Sequence, residues 1–152
     1  MSDKITFVGN GTTLGGTATA VEGLEQYRTF VAGGAITAGM WVSFDVSQTG
    51  TAKLTTVVKS PVVATGNPQC VGVATESVAA GATVQVQIRG LFTDAYVADA
   101  SAAGDPLIAG GTTPGMAETA AATDISAIVG WAITDGSGAN AATVYIANPA
   151  GL

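Results

Sequence analysis

Two stretches of the chain, residues 83–89 and 141–147, alternate apolar and polar side chains with a period of two. This alternation is typical of a β-strand that has one face buried and the other in contact with solvent. The apolar positions are Val84, Val86 and Ile88 in the first stretch and Ala142, Val144 and Ile146 in the second. We therefore predict two strands, and we expect the last two apolar side chains of each to point into one common core.

These strands belong to two longer segments that resemble one another. Residues 71–90 read VGVATESVAAGATVQVQIRG, and residues 129–148, which lie 58 positions later, read VGWAITDGSGANAATVYIAN. Upstream, ITAGMWVSFD (residues 36–45) and SAAGDPLIAG (residues 101–110) share an Ala-Gly turn before an apolar strand, with an offset of 65 positions. We interpret this similarity as an internal repeat. The alternative is chance similarity between stretches that are rich in Val and Gly.

Each copy of the repeat predicts a small β-unit: an Ala-Gly turn, a strand, a variable connection, a Val-Gly strand, a glycine-rich turn and a final strand. The connection is seven residues longer in the first copy, where it spans residues 49–69. A unit of this size cannot bury its apolar side alone, so two units are expected to pack together. The predicted fold is all-β, a compact β-sandwich or β-barrel built from two similar units, with an extended N-terminal arm.

Helix is predicted to contribute little to the fold. The best helical candidates, residues 21–30 and 117–124, are short, and isolated helices of that length are marginal in water. The predicted division is residues 1–30 as the N-terminal arm and the segment leading into the body, and residues 31–152 as the β-rich body, with the two copies at about 31–90 and 97–149.

Charged residues are scarce, at 11% of the chain, and the formal net charge is −6. The five basic residues are scattered at Lys4, Arg28, Lys53, Lys59 and Arg89. A nucleic-acid groove or an anionic membrane surface requires clustered Lys and Arg, so we expect neither partner. No apolar run is long enough to cross a bilayer, and the first residues lack a secretory signal, so we expect a soluble protein that is not exported. So few charges also indicate that partners cover part of the surface.

The chain contains no histidine and one cysteine, Cys70. Without histidine, the usual activation of serine and cysteine nucleophiles is missing, and one cysteine cannot build a tetrahedral zinc site. Cys70 has no basic neighbour in the sequence, which predicts a small buried apolar side chain rather than a reactive thiol. We therefore predict no enzymatic activity, no metal and no cofactor.

Several carboxylates have a simple structural interpretation. Asp94, Asp99 and Asp105 lie in a segment with turn signals, and we interpret them as turn or solvated positions, with a glycosidase-like acid pair as the open alternative. Asp135 and Asn140 lie in a glycine-rich loop that lacks the acidic run and closing glutamate of a calcium loop. We interpret this loop as the tip of a hairpin.

The two tryptophans, Trp41 and Trp131, lie in strand-like surroundings. Large aromatic side chains contribute most when they are packed away from water. We therefore expect both to pack in the core or between subunits, and we consider a face for stacking sugars or bases less favourable.

The order of these elements resembles a known family. It runs AGGAITAGMWVSFD, CVGVATESVAAGATVQVQIRGLF, SAAGDPLIAG and IVGWAITDGSGANAATVYIAN, and it covers roughly residues 31–149. The resemblance is to small phage proteins described as capsid cement or head decoration proteins, and glycine turns and short apolar strands carry it. It implies a compact all-β body, often assembled as a trimer. Such a body binds the outside of an icosahedral capsid at junctions between major capsid protein subunits and stabilises the shell against internal DNA pressure.

The resemblance thus implies a structural virion protein that is made in the host cytoplasm and located on the outer capsid surface. Its expected partners are the major capsid protein and further copies of itself. Two alternatives stay open: another virion component, such as a fibre base or a tail part, and a carbohydrate-binding β module.

The N-terminal arm contains the candidate contact residues. Ile5, Phe7 and Val8 alternate with Lys4 and Thr6 like a short strand, and the Gly-Asn-Gly-Thr-Thr sequence behind them is typical of a flexible tether. Such a strand is suited to adding to an open sheet edge of a neighbouring subunit or of the major capsid protein. We therefore predict capsid or inter-subunit contacts for Lys4, Ile5, Phe7 and Val8. The alternative is that this segment is the first strand of the protein's own sheet.

Overall fold

The computed structural model describes residues 25–98, 100–122, 124, 127–136 and 141–152. Within these ranges the chain forms nine β-strands and one short 3₁₀ helix, and no α-helix is present in the described part. The all-β prediction is confirmed. The elements are β1 (Gln26–Ala32), β2 (Trp41–Phe44), a 3₁₀ helix (Gly50–Leu54), β3 (Thr56–Lys59), β4 (Cys70–Ala74), β5 (Thr83–Tyr96), β6 (Pro106–Ala109), β7 (Ala117–Thr119), β8 (Ile128–Ala132) and β9 (Ala141–Ala147).

The first half of the chain closes into a five-stranded barrel. The strand order is β1, β3, β2, β4 and β5, and the barrel closes because β1 also pairs with the first part of β5. The β1–β3 pair is parallel and the other pairs are antiparallel. We call β1 to β4 and residues 83–89 of β5 the first unit. Its interior is filled by Phe30, Ala32, Ile36, Val42, Val57, Val71, Ala74, Val84, Val86 and Ile88.

The second half of the chain repeats this arrangement. Residues 91–96 of β5 pair with β9, and the order continues through β8, β6 and β7. Directly after β5, Val97 forms a parallel bridge to Ala117 of β7, which is the counterpart of the parallel β1–β3 pair. We call residues 91–96 of β5 and β6 to β9 the second unit. The long β5 strand therefore closes one unit and begins the other.

The two units also agree in strand register. In the first unit Val42 lies opposite Gly72, next to a register shift. In the second unit Leu107 lies opposite Gly130, again next to a register shift. These pairs are separated by the offsets of 65 and 58 that the sequence shows. The repeated sequence thus corresponds to a repeated pattern of strand pairing.

The close approach of two backbones explains the repeated Val-Gly dipeptide. A Cβ atom on Gly72 would lie 2.1 Å from the carbonyl oxygen of Gln87, and one on Gly130 would lie 2.1 Å from that of Tyr145. The preceding valines, Val71 and Val129, are buried inside their respective units. Only glycine lets the neighbouring strand come this close while the valine fills the interior.

The repeated Ala-Gly turn also has a conformational cause. Gly39 has φ +88° and Gly104 has φ +93°, values that favour glycine over every residue with a side chain. The amide of Gly39 donates to the carbonyl of Ala74 at 2.8 Å, and the amide of Gly104 donates to that of Ala132 at 2.7 Å. Each turn therefore binds to the end of the Val-Gly strand in its own unit.

The expectation of one common core is wrong. Val86 and Ile88 belong to the interior of the first unit, whereas Val144 and Ile146 belong to the cluster of the second unit. All four side chains are buried, as the alternating pattern predicts. The division arises because each unit wraps its strands around its own interior.

The predicted units also lacked two strands each. The connection at residues 49–69 contains the 3₁₀ helix and β3, so it is not simply a variable loop. Residues 26–30, part of the first helical candidate, lie in β1, and the second candidate begins with β7. The boundary placed between residues 30 and 31 stays a prediction, and β1 runs across it.

The units are joined by side chains of the first unit that are buried in the core of the second. Trp41, Cys70 and Val73 lie on the outer side of the first barrel and are buried in the core cluster of the second unit. Backbone hydrogen bonds reinforce this junction, from the Val63 amide to the Gly110 carbonyl at 2.8 Å and from the Trp41 amide to the Gly115 carbonyl at 2.9 Å. The two units therefore share a core at their junction.

Replacing Gly72 or Gly130 by alanine tests the close approach. We expect each change to lower the free energy of unfolding by at least about 2 kcal/mol, because the added methyl group collides with backbone that cannot rotate away. Urea unfolding followed by circular dichroism measures the effect. Gly34→Ala is the matched control, since no atom lies within 4 Å of its Cβ position. Unchanged stability in Gly72→Ala and Gly130→Ala would contradict the register.

Candidate interaction surface

Four apolar side chains form a continuous row across the outer side of the second unit. Tyr145 of β9 lies opposite Leu91 of β5 on one side and opposite Trp131 of β8 on the other, and Trp131 lies opposite Pro106 of β6. Residues directly opposite on paired strands present their side chains on the same face. Trp131 is 42% exposed and Leu91 is 39% exposed. We call this row, Leu91, Pro106, Trp131 and Tyr145, the open face.

Two aromatic rings lie side by side at the centre of the open face. The rings of Trp131 and Tyr145 have their centroids 6.4 Å apart and their planes inclined by 39°. Aromatic pairs at this distance add about 0.5–1.5 kcal/mol beyond the area that they bury. The pair thus presents a preformed apolar surface, which loses little conformational entropy when a partner covers it.

Three of the four corresponding positions of the first unit are covered, and the fourth, Tyr27, which lies opposite Gln87 as Leu91 lies opposite Tyr145, is exposed. The counterparts of Tyr145, Trp131 and Pro106 are Gln87, Val73 and Trp41, and all three are buried. Among the described residues, the Trp41 indole nitrogen is the one buried side-chain nitrogen or oxygen without a hydrogen-bond partner. The same side of the sheet is therefore buried at the junction in one unit and left open in the other.

The charges of the two units differ strongly. All five basic residues precede residue 90. From residue 90 onward the chain has no Lys or Arg, and its charged residues are Asp94, Asp99, Asp105, Glu118, Asp124 and Asp135. The second unit is consequently acidic, whereas Arg89 lies at the edge of the open face, two positions from Leu91 on the same side of β5.

Other large apolar side chains are exposed at separate places. Val46 and Leu54 lie in the connection between β2 and β3, and at 51% and 66% exposure they are the most exposed of this kind in the described part of the chain. Tyr27 and Val31 lie on the outer side of β1. The open face is nevertheless the place where four apolar side chains, Leu91 and Trp131 exposed and Pro106 and Tyr145 half-buried, are aligned across adjacent strands.

The contact residues predicted from the sequence, Lys4, Ile5, Phe7 and Val8, lie outside the described residues. The sequence also predicts that both tryptophans pack in the core or between subunits. Trp41 is buried at the junction, whereas Trp131 lies on the surface. A position-by-position comparison of the two copies would have pointed to the open face, because Val73 and Gln87 are replaced by Trp131 and Tyr145 in the second copy.

The carboxylates act as turn-stabilising groups. The Ala102 amide donates to Asp105 at 3.0 Å and the Thr119 hydroxyl donates at 2.9 Å, and these hydrogen bonds lower the pKa of the Asp105 carboxyl. A carboxyl with a lowered pKa is poorly suited to donating a proton as a general acid. Asp94 has φ +60° in the irregular part of the β5–β9 pairing, and Asp99 lies outside the described residues.

A carboxylate also stabilises the glycine-rich loop that contains Asp135. The Asp135 carboxylate accepts a hydrogen bond from the Ala103 amide at 2.8 Å, which ties this loop to the Ala-Gly turn of the second unit. Asn140 lies outside the described residues. The described residues contain no group of three or more His, Cys, Asp or Glu side chains that could hold a metal ion. Nor do they contain a helix with the length and apolarity needed to span a membrane.

Comparisons with known proteins identify a family and a fold. A family model described as phage cement protein matches residues 46–147, which is more than half of the chain. A solved structure, described as head fiber gp8.5 N base in bacteriophage phi29, matches with a TM-score of 0.57 and 19% identity. That match covers 82% of this chain and 96% of the phi29 chain. A search of curated proteins found no match.

Cys70 provides a test of the junction. Burial raises the pKa of its thiol to about 12, so almost no thiolate exists near neutral pH. We expect a thiol reagent at about pH 8 to react with the folded protein on the order of a thousandfold more slowly than with the unfolded protein, whose cysteine has a pKa near 8.5. Absorbance of the released aromatic thiol measures both rates. Rapid reaction of folded protein would show that the junction is open to solvent.

Proposed function

The chain belongs to the phage cement protein family, and we propose that it binds the outer surface of an icosahedral phage capsid and stabilises the shell. It is a structural protein of the phage virion. The proposed binding sites are the junctions between major capsid protein subunits. The observation that carries the proposal is the family match, since it extends from the β2–β3 connection to the end of β9 and so includes most of both units.

The physical character of the body supports this role. A closed barrel and a second β-unit joined through a buried junction make a rigid element, and a rigid element bridging several capsid subunits resists their separation. The low charge and the apolar open face suit contacts in which shape and burial provide the binding energy. Catalysis plays no part in the proposal, which requires no cofactor, nucleic acid or membrane.

We further propose that the protein acts as a trimer. Three linked copies would engage three sites at one junction, so modest contacts in each copy would add up to firm attachment. The N-terminal arm would contribute capsid or inter-subunit contacts through Lys4, Ile5, Phe7 and Val8. In this arrangement the body provides rigidity and the arm provides backbone pairing to an open sheet edge.

A second candidate function is the base of a head fibre. The fold similarity to the head fiber base of phi29, with a TM-score of 0.57, favours it. A fibre base would carry further protein pointing away from the shell, whereas a cement protein would lie across several capsid subunits.

The third candidate, carbohydrate binding, would use Trp131 and Tyr145 as a stacking platform, and a glycan array tests it directly.

Deleting the gene tests the proposed function. We expect particles without the protein to assemble, to lose density over junctions of the major capsid protein and to release DNA at a lower temperature than wild-type particles. Cryo-electron microscopy of both particles and a dye-release melting curve measure these effects. Adding back the purified protein is the control. Density confined to fibre attachment points or tails would overturn the capsid proposal in favour of another virion component.

Removing residues 1–10 tests the arm. If the arm makes external contacts, we expect a folded protein with unchanged thermal stability that no longer decorates particles or no longer trimerises. The quadruple variant with Lys4, Ile5, Phe7 and Val8 changed to Ser keeps the length of the arm and should behave in the same way. A truncated protein that fails to fold would place the segment in the protein's own sheet. A truncated protein with undiminished binding would show that the arm makes no contact.

A further inference from the structure

We infer that the open face of the second unit binds the β2–β3 connection, residues 45–55, of a second copy of this chain. Copies would then associate head to tail, each covering the open face of the next. This inference deepens the proposed assembly of copies by assigning the surfaces that meet. It follows from three observations: the covered face of the first unit, the exposed side chains of the β2–β3 connection and the distribution of charge.

The junction inside one chain shows how such a face is covered. The connection between β6 and β7, residues 110–116, lies against the start of β2 in the first unit. The Gly115 carbonyl accepts from the Trp41 amide, the Gly115 amide donates to the Ser60 carbonyl at 2.8 Å, and a Cβ on Gly115 would lie 3.2 Å from Cγ of Met40. The face that contains Trp41 is thus closed by the β6–β7 connection of the neighbouring unit.

An equivalent apolar contact is available at the open face, but the hydrogen bond from the Trp41 amide is not, because its counterpart Pro106 has no N–H. The counterpart of the β6–β7 connection in the first unit is the β2–β3 connection, because β2 corresponds to β6 and β3 to β7. This connection contains Val46 and Leu54, the two most exposed large apolar side chains in the described part of the chain. Leu54 is at the end of the 3₁₀ helix and is 66% exposed. An apolar connection without a partner and an apolar face without a cover are therefore both present on each copy.

The charges of the connection support this pairing. Asp105 is the counterpart of Met40, so it would meet the incoming connection. Lys53 is the exposed charged side chain of that connection, since Asp45 at its start is buried and holds Ser47 and Gln48. Like charges in such positions oppose association, and complementary charges favour it.

A contact between two different surfaces has a defined consequence for assembly. Head-to-tail contacts form closed rings when the rotation between copies closes, and open filaments when it does not. A ring of three copies would satisfy every open face and every β2–β3 connection. The inferred contact is therefore compatible with the trimer proposed above.

Two single variants and their mixture test the inference. Trp131→Glu alters the open face, and Leu54→Glu alters the connection; Leu54→Glu should melt like wild type, and Trp131→Glu should stay folded with a melting temperature lowered only by loss of the ring pair with Tyr145. We expect each variant to associate at least about 30-fold more weakly than wild type in sedimentation velocity. An equimolar mixture should form a dimer of one copy of each, because Leu54→Glu keeps an intact open face and Trp131→Glu keeps an intact connection. Tyr27→Glu, at an exposed site on β1, is the control and should associate like wild type.

The outcomes separate this inference from the proposed function. Variants that associate like wild type, a mixture that stays monomeric, or wild type that is monomeric both in solution and on particles would each overturn the inference. Trp131→Glu protein that still self-associates but no longer binds particles would assign the open face to the capsid protein instead. Monomeric variants that still bind particles would support the inference and leave the capsid proposal standing. Wild type that self-associates but does not bind particles would overturn only the capsid proposal.

Discussion

The structure depends on the burial of one side of the first barrel in the core of the second unit. The interior of the second unit is lined largely by small side chains, among them Ala95, Ala117, Ala132 and Ala142. At the equivalent positions the first unit has Phe30 and Val84 where the second has Ala95 and Ala142. The second unit therefore lacks apolar volume of its own, and Trp41, Cys70 and Val73 of the first unit supply it. Protein interiors are close-packed, so this missing volume must be filled from outside the unit.

This dependence explains why a repeated sequence produces an asymmetric molecule. Two units with the same strand pairing pack side by side, so one contributes an outer face to the contact and the other contributes its interior and the β6–β7 connection. Such a contact buries one face of the first unit and leaves the equivalent face of the second unit exposed. The aromatic side chains Trp131 and Tyr145 occur where the first unit has Val73 and Gln87. The difference reflects what surrounds each position. Space within the junction is limited, whereas large rings on the surface are available for a partner.

The family assignment fits a protein that works through its surfaces. The groups that would support catalysis are used for structure: Asp105 holds a turn, Asp135 ties a loop, and Cys70 is a buried thiol with a raised pKa. The few large apolar side chains exposed on its surface are the places where contacts with a partner gain most. All basic residues precede residue 90 and six of the eleven acidic residues follow it, which gives the molecule a polarity that its strand pairing alone would not have.

The sequence by itself determined the all-β fold, the presence of two related units and the glycine turns that bound them. These features depend on local chemistry: alternation places Val86 and Val144 in strands, and glycine at positions 39, 72, 104 and 130 is required by backbone conformation or close approach. Only the tertiary structure decided which side chains share a core, because Ile88 and Ile146 have the same pattern but lie in different units. It also decided that Trp41 is buried and Trp131 exposed, since both lie among similar apolar residues and differ only in what packs against them. Strands β1 and β3 were missed because their pairing joins residues far apart in the chain, and a local pattern carries no information about such partners.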